Sequence, residues 1–333
     1  MAKPFRDIFS DVALFFLRPI DILVMNREIT VVHKGEVLKK DKDPFVLISN
    51  HFNTWDSFVI AKNVKRNIRY VATEIAFLDF TKKMGMMHLA RAIKKRVGKS
   101  DMLAMKRAFK SLKDGYVVGI FPEGDNTFYG ETLPMYQTTG KLLKRTKVDV
   151  YLIKQAGGYV SQPRWADYFS KKGQIHTETS LLIKKEDLKD LSEQEINTKV
   201  ENAIYHNDYE WQREKMFDFD RKKRAEGIER LVYYCNKCGS INTIYGKNHD
   251  IICKECGVIG SINEFEFIEG NKFDNLVDYN HDQYKHMEEV INSEFAFHVT
   301  LNEVNTKKLK NHHKGRYHLH YKNKELFLHN KDN

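Results

Sequence analysis

The chain has 333 residues, 41% of them hydrophobic and 30% charged, with a net charge of +10 and a sequence pI near 9.1. That suffices for one large domain plus a smaller one and excludes a disordered chain, while the absence of any run of 18 apolar residues speaks against a spanning helix. A basic surface suits anionic lipid headgroups, phosphate-bearing substrates or nucleic acid, and charge alone does not choose among them.

Residues 1–25 open with Phe5, Ile8, Phe9, Val12, Leu14, Phe15, Phe16 and Leu17, interrupted by Arg6, Asp7, Asp11 and Arg18. The pattern is that of an amphipathic helix, lying either in a headgroup layer or on the protein's own core. No small-residue cleavage site follows it, so the expected location is cytoplasmic, peripheral on the inner face of a membrane.

From 29 to 185 strands and helices alternate. Ile29–His33 and the apolar run from Phe45 to Ser49 read as strands, a helix starts at Trp55, and a strand lies near Ile68–Ala72. Met102, Met105, Phe109 and Leu112 are at helical spacing in a segment that stops at Gly115. Then come a strand over Tyr116–Phe121, a helix around Lys141–Arg145 and a strand over Val148–Ile153. This alternation predicts an α/β fold with a mostly parallel sheet flanked by helices. Ser192–Glu214 reads as a charged helix with Ser192 and Glu195 as a capping box. The run Arg221–Arg224 marks a boundary, and beyond Ile259 the chain turns to short β-like segments. Six of its 14 histidines lie between His298 and His329.

Two segments suggest chemistry. His51 follows a buried strand, and Asp56 comes five residues later. On one helix they would stand ~140° apart and never meet. If the chain bends at Phe52–Asn53, with Thr54 capping a helix from Trp55, the carboxylate can hold the imidazole while its other nitrogen takes a hydroxyl proton. Alone, this spacing is common by chance. The second segment, Phe121-Pro122-Glu123-Gly124, closes another strand, so both leave carboxyl ends, where open α/β sheets bind ligands. Glu123 would hold an acceptor hydroxyl or orient a basic residue, Gly124 would let backbone approach a ligand, and amides around Glu123–Asp125 would contribute to an oxyanion site.

Asn50-His51 with Asp56, followed by Phe121-Pro-Glu-Gly124, resembles the glycerolipid acyltransferase family (1-acylglycerol-3-phosphate acyltransferase-like) over roughly residues 25–215. The resemblance implies that His51 is the general base, that Asp56 orients it, and that Glu123 and Gly124 bind the acceptor. It implies acyl-CoA or acyl carrier protein as donor and a lysophosphatidic-acid-like glycerolipid as acceptor, in phospholipid biosynthesis. Arg91, in the block Gly85–Arg91, would contact the acceptor phosphate. Two departures stand out. Asp125 and Asn126 replace the family's usual Thr or Asn followed by Arg, and Asp149 stands where a proline is usual. Lys141, Lys144, Arg145 and Lys154 are the cations available to supply the missing charge.

Cys235-x2-Cys238-Gly and Cys253-x2-Cys256-Gly, with 14 residues between the pairs, predict a zinc ribbon holding a structural Zn²⁺ in a closed set of four thiolates. The expected organisation is an interfacial segment at 1–25, an acyltransferase domain at 26–220, the ribbon at 228–262 and a small β-rich region at 263–333. A nucleic-acid-binding ribbon protein and a catalytically degenerate lipid-binding protein are the competing readings. The ribbon lacks an accompanying recognition helix, which disfavours nucleic acid as a partner. The intact His51, Asp56 and Glu123 disfavour degeneracy.

Overall fold

The computed structural model describes residues 5–27, 29–39, 43–53, 55–74, 77, 89–96, 102–170, 173–305 and 310–330. The chain divides into two compact units, Met1–Arg164 with Phe169–Arg221, and Trp165–Tyr168 with Lys222–Asn333.

In the first unit the described helices are α1 (Phe5–Asn26), α2 (Asp56–Asn63), α3 (Met102–Lys113), α4 (Thr138–Thr146), α5 (Gly158–Ser161), α6 (Glu193–Ile204) and α7 (Asp208–Lys215). The strands are β1 (Ile29–Gly35), β2 (Val46–Ile48), β3 (Ile68–Thr73), β4 (Ile93–Lys95), β5 (Val117–Ile120), β6 (Val150–Ala156) and β7 (Gly173–Ile183). They form one sheet in the order β1-β7-β6-β2-β5-β3-β4, and every neighbouring pair is parallel except β6 and β7.

The central strand β2 is apolar at every position because both of its faces are covered. Val46 and Ile48 join a core with Ala104, Ala108 and Leu112 of α3, Leu143 of α4 and Ile196 and Val200 of α6. Leu47 points the other way, into a core with Leu38, Ile60, Val64 and Ile153. Each such side chain contributes roughly 1.5–3 kcal/mol on full burial. The result is a rigid middle strand, with β5 on one side and β6 on the other, whose carboxyl ends lie at one edge of the sheet.

Two expected elements differ. The strand β7 did not stand out in the sequence because its inward positions include Thr177 and Thr179 beside Ile175. It fits between β1 and β6, pairing with both. The helix expected over Ser192–Glu214 is two helices. The capping box of Ser192 and Glu195 starts α6, but the chain breaks after Ile204, and Asn207 caps α7 by accepting the Tyr209 amide.

Helix α1 is amphipathic with its polar side turned inward. Asp7 is only 2% exposed; its carboxylate pairs with Arg69 at 3.1 Å and Arg91 at 2.9 Å. Asp11 accepts from Asn67 at 2.8 Å and from the Tyr116 hydroxyl at 3.0 Å, Ser10 donates to the Leu89 carbonyl, and Arg18 to that of Val64. Burial pushes the Asp7 carboxyl up, yet the hydrogen bond and charge of Arg69, with Arg91 behind them, hold it below the usual carboxylate range. The outer face carries Ile8, Phe9, Val12, Phe15, Phe16, Ile20 and Leu23, all exposed. Toward the end of the helix Met25 is fully buried with Ile29, Val59 and Ile175. Among the described residues no helix is long and apolar enough to cross a membrane.

The second unit holds an antiparallel sheet of β8 (Ile244–Lys247), β9 (Asp250–Cys253), β10 (Gly257–Ile262) and β11 (Ile268–Glu269), in the order β11-β10-β9-β8. Helices α8 (Leu276–Lys285) and α9 (Met287–Asn292) follow, within the region expected to be β-rich. Asn275 starts α8 by accepting the Asp278 amide at 2.9 Å. The chain then forms the antiparallel sheet β12 (Phe295–Asn305), β13 (Lys310–Lys322) and β14 (Glu325–Asn330).

Candidate active site and cysteine cluster

The structure brings His51 and Asp56 together. Nδ1 of His51 lies 2.7 Å from Oδ2 of Asp56, and the same oxygen accepts the amides of Phe52 at 2.6 Å and Asn53 at 3.1 Å. Three donors on one carboxylate oxygen bend the chain back between β2 and α2. The helix cap expected at Thr54 lies outside the described residues. The turn before α2 is instead closed by Asp56 and by Asn53, whose Oδ1 accepts the Trp55 amide at 2.9 Å. Asp56 is 1% exposed and sits in the first turn of α2, where the helix dipole favours an anion.

The His51 ring is one-fifth exposed and stacks on Phe121, with centroids 4.1 Å apart and 15° between planes. Phe121 stacks in turn on Tyr70. With Nδ1 engaged by Asp56, Nε2 has no hydrogen-bond partner among the described residues. A neutral imidazole held this way carries its proton on Nδ1 and its lone pair on Nε2.

Glu123 is placed as a brace. It is 5% exposed, Oε1 accepts the amide of His51 at 2.8 Å, and Oε2 accepts the amide of Leu133 at 2.7 Å. The His51 carbonyl accepts the Thr127 amide at 3.0 Å, so both backbone groups of His51 are tied to the segment following β5. The sequence left Glu123 either to meet an acceptor hydroxyl or to orient a basic residue; here both its oxygens accept backbone amides, one of them that of His51. Burial pushes its carboxyl up to about 8 against the pull of the two amides.

Gly124 has φ +76°, and a Cβ there would fall 2.3 Å from the Tyr136 ring, so the absent side chain makes room for that ring. Its amide closes a turn on the Phe121 carbonyl at 3.1 Å. Arg91 has φ 54° and its Nε is held by Asp7 at 2.9 Å, so in this structure it serves α1. Of its block, residues 85–88 lie outside the described residues.

Several supports escaped the sequence reading. Asn50 donates to the Gln155 carbonyl at 2.9 Å and accepts its amide at 2.8 Å, extending the pairing of β2 with β6 by a side chain. Asp208, fully buried, accepts the amides of Gly157, Tyr159 and Val160 and pairs with His206, fixing α5. The carbonyl of Gly158 in α5 accepts Asn53 Nδ2 at 3.1 Å. The cation beside Asp125 and Asn126 is Arg164, outside the four considered. Its Nη1 is 3.2 Å from the Asp125 carboxylate and 2.9 Å from the Asn126 carbonyl, and its guanidinium lies 3.9 Å over Phe128. Asp149, at the usual proline position, accepts the Lys185 amide at 2.8 Å.

In the second unit the Sγ atoms of Cys235, Cys238, Cys253 and Cys256 all lie within 4.8 Å of one another. Cys235 and Cys256 are 3.7 Å apart, Cys238 and Cys253 3.8 Å. Bonds of ~2.3 Å to one tetrahedral ion give sulfur separations of about 3.8 Å, so the donor set fits a closed four-thiolate site.

Residues 29–153 match the family model described as Acyltransferase. Among solved structures, the 1-acyl-sn-glycerophosphate (LPA) acyltransferase PlsC from Thermotoga maritima is similar at 20% identity and a TM-score of 0.49, covering 61% of this chain and 80% of that one. No curated protein matches the chain.

The brace yields a prediction. Glu123→Gln keeps one acceptor but turns an amino group toward a backbone amide, so one bond is lost and a donor is left facing a donor. The expected cost is about 1–3 kcal/mol, with a displaced His51 and reduced turnover. A carboxyl raised from 4.5 to about 8 binds its proton more tightly in the folded state, so wild type loses stability as pH rises across that window. Urea unfolding at several pH values should find the gap between wild type and variant narrowing as pH rises. A pH-independent gap would contradict the assignment.

Proposed function

We propose that the protein, whose residues 29–153 match the Acyltransferase family model, transfers a fatty acyl group from acyl-CoA or acyl carrier protein to the hydroxyl of a lysophosphatidic-acid-like glycerolipid, in phospholipid biosynthesis. The 2.7 Å contact between His51 Nδ1 and Asp56 carries this reading, because it leaves Nε2 as the basic atom. Nε2 takes the proton of the acceptor hydroxyl as its oxygen attacks the thioester carbonyl. The tetrahedral intermediate collapses by breaking the carbon–sulfur bond, and the departing thiolate recovers the proton from the imidazolium. Asp56 stabilises that cation and fixes its tautomer without itself becoming protonated. Glu123 keeps the His51 backbone in register.

Arg164 and Arg91 are each paired with a carboxylate, Asp125 and Asp7 respectively. An acceptor phosphate reaching either one would therefore have to compete with that carboxylate. The cysteine cluster would hold a structural Zn²⁺ through Cys235, Cys238, Cys253 and Cys256. With four thiolates bound, the ion stabilises local folding and keeps no open position for substrate.

The outward apolar face of α1 supports a membrane surface as partner. Its aromatic side chains would enter the headgroup layer while the chain's basic residues are drawn to anionic lipid.

Incubation with radiolabelled acyl-CoA or acyl carrier protein and a panel of lysophospholipids should yield acylated lipid, and His51→Ala should lower turnover by about 10²–10⁴ while the protein stays folded. A folded variant with near-wild-type turnover would overturn the mechanism. In flotation with anionic vesicles, Phe15→Ser/Phe16→Ser should release the protein yet keep activity on a short-chain soluble acceptor, and high salt should weaken wild-type binding without abolishing it. Undiminished vesicle binding by that variant would place the anchor elsewhere.

A further inference from the structure

The histidines between His298 and His329 lie in the sheet β12-β13-β14, and strand pairing determines what they can do together. His298 on β12 stands opposite His318 on β13, and His318 stands opposite His329 on β14. Directly opposed residues of an antiparallel pair project from the same face with Cβ atoms ~4.5–5.5 Å apart, so three imidazoles make a row across the sheet. His320 is two residues beyond His318 and therefore shares that face. His298 and His318 have ring centroids 4.2 Å apart at 63°, while the His329 ring lies 5.9 Å from that of His320 and stacks on Phe327, so a shared ion requires the His329 ring to turn toward His318. The alternate positions, among them Phe295, Val299, Tyr317, Leu319 and Leu328, fall on the opposite face. The strand period thus gathers the imidazoles on one face, beside Ala296 and Phe327, and leaves the opposite face mostly apolar.

We propose that this imidazole face binds a late first-row divalent cation, of which Zn²⁺ is representative, through His298, His318 and His329, with His320 as an alternative ligand. Neutral imidazole is a borderline donor that suits zinc, copper and nickel ions better than the hard cations magnesium and calcium. Two Zn–N bonds of ~2.0–2.1 Å to one tetrahedral ion bring the nitrogens to about 3.4 Å, a separation that side-chain rotation at opposed strand positions can reach. His298, His320 and His329 are exposed, so the ion can enter from solvent. Two cations share the face. Lys322 is neutralised by Glu294 at 3.0 Å, whereas Arg316, opposite Thr300, opposes the ion and sets a limit on affinity. Histidine and water ligands on an open sheet give an exchangeable ion, in contrast to the closed cysteine cluster.

The test uses the full chain and zinc alone. After dialysis against excess EDTA-free buffer to remove loosely held metal, both wild type and His298→Ala/His318→Ala/His329→Ala are titrated with Zn²⁺ against a chromophoric indicator. Any ion in the cysteine cluster is common to both proteins and cancels. Wild type should take up one equivalent more than the variant. Equal uptake by two folded proteins would overturn the proposal. If the variant fails to fold, histidine-labelled wild type is titrated with Ni²⁺ and followed by NMR. Ring signals of His298, His318 and His329 should broaden first, well before those of His33 and His206. Uniform broadening of all histidines, or none, would overturn it.

Discussion

One carboxylate oxygen holds the chemistry in place. Oδ2 of Asp56 receives the His51 imidazole and the amides of Phe52 and Asn53, and without that convergence the chain could not reverse within five residues. On a continuous helix the two side chains would diverge by ~140°. The reversal requires the helix to start late, at Asp56, and it requires β2 to end on a rigid support. The fully buried Val46, Leu47 and Ile48, flanked by parallel β5 and β6, supply that support. Glu123 then joins the end of β2 to the segment after β5, so two neighbouring strand ends act as one unit around the imidazole.

Much of this was legible in the sequence for a local reason. A strand buried on both faces must be apolar throughout, and a proline after Phe121 must end pairing, so the strand ends next to His51 and Glu123 announce themselves. The role of Glu123 was harder to read, because its partners are amides ten and 72 residues away. The same holds for Asn50 with Gln155, Asp208 with α5, and Arg164 with Asp125. Each joins segments far apart in sequence, and no local period encodes such a pairing. The strand β7 leaves a weak signal in the sequence because threonine, not an apolar residue, fills two of its inward positions. The break before α7 had a signal in Asn207, a good cap, which the charge pattern of the flanking helix obscured. Asn275 with Asp278 likewise marked the start of α8 inside a stretch that otherwise reads as β.

Two surfaces illustrate how period and placement combine. In α1 the helical period separates Asp7, Ser10 and Asp11 from the aromatic residues, and the ion pairs of Asp7 with Arg69 and Arg91 decide which side faces inward. Most of the large apolar side chains of this helix are thereby presented outward by polar anchoring, while Met25 at its end joins the core. In the carboxyl-terminal sheet the period of two does the same sorting, and strand register gathers four histidines that the sequence leaves scattered.

The central claim is that Asp56 fixes the His51 proton on Nδ1 and leaves Nε2 free to accept one. The most direct measurement is the tautomer itself, read from ¹⁵N chemical shifts of labelled histidine in the full chain at a pH where the imidazole is neutral. The account predicts a protonated Nδ1 and an unprotonated Nε2 for His51, with that preference lost in Asp56→Ala. A wild-type ring protonated on Nε2 would contradict it.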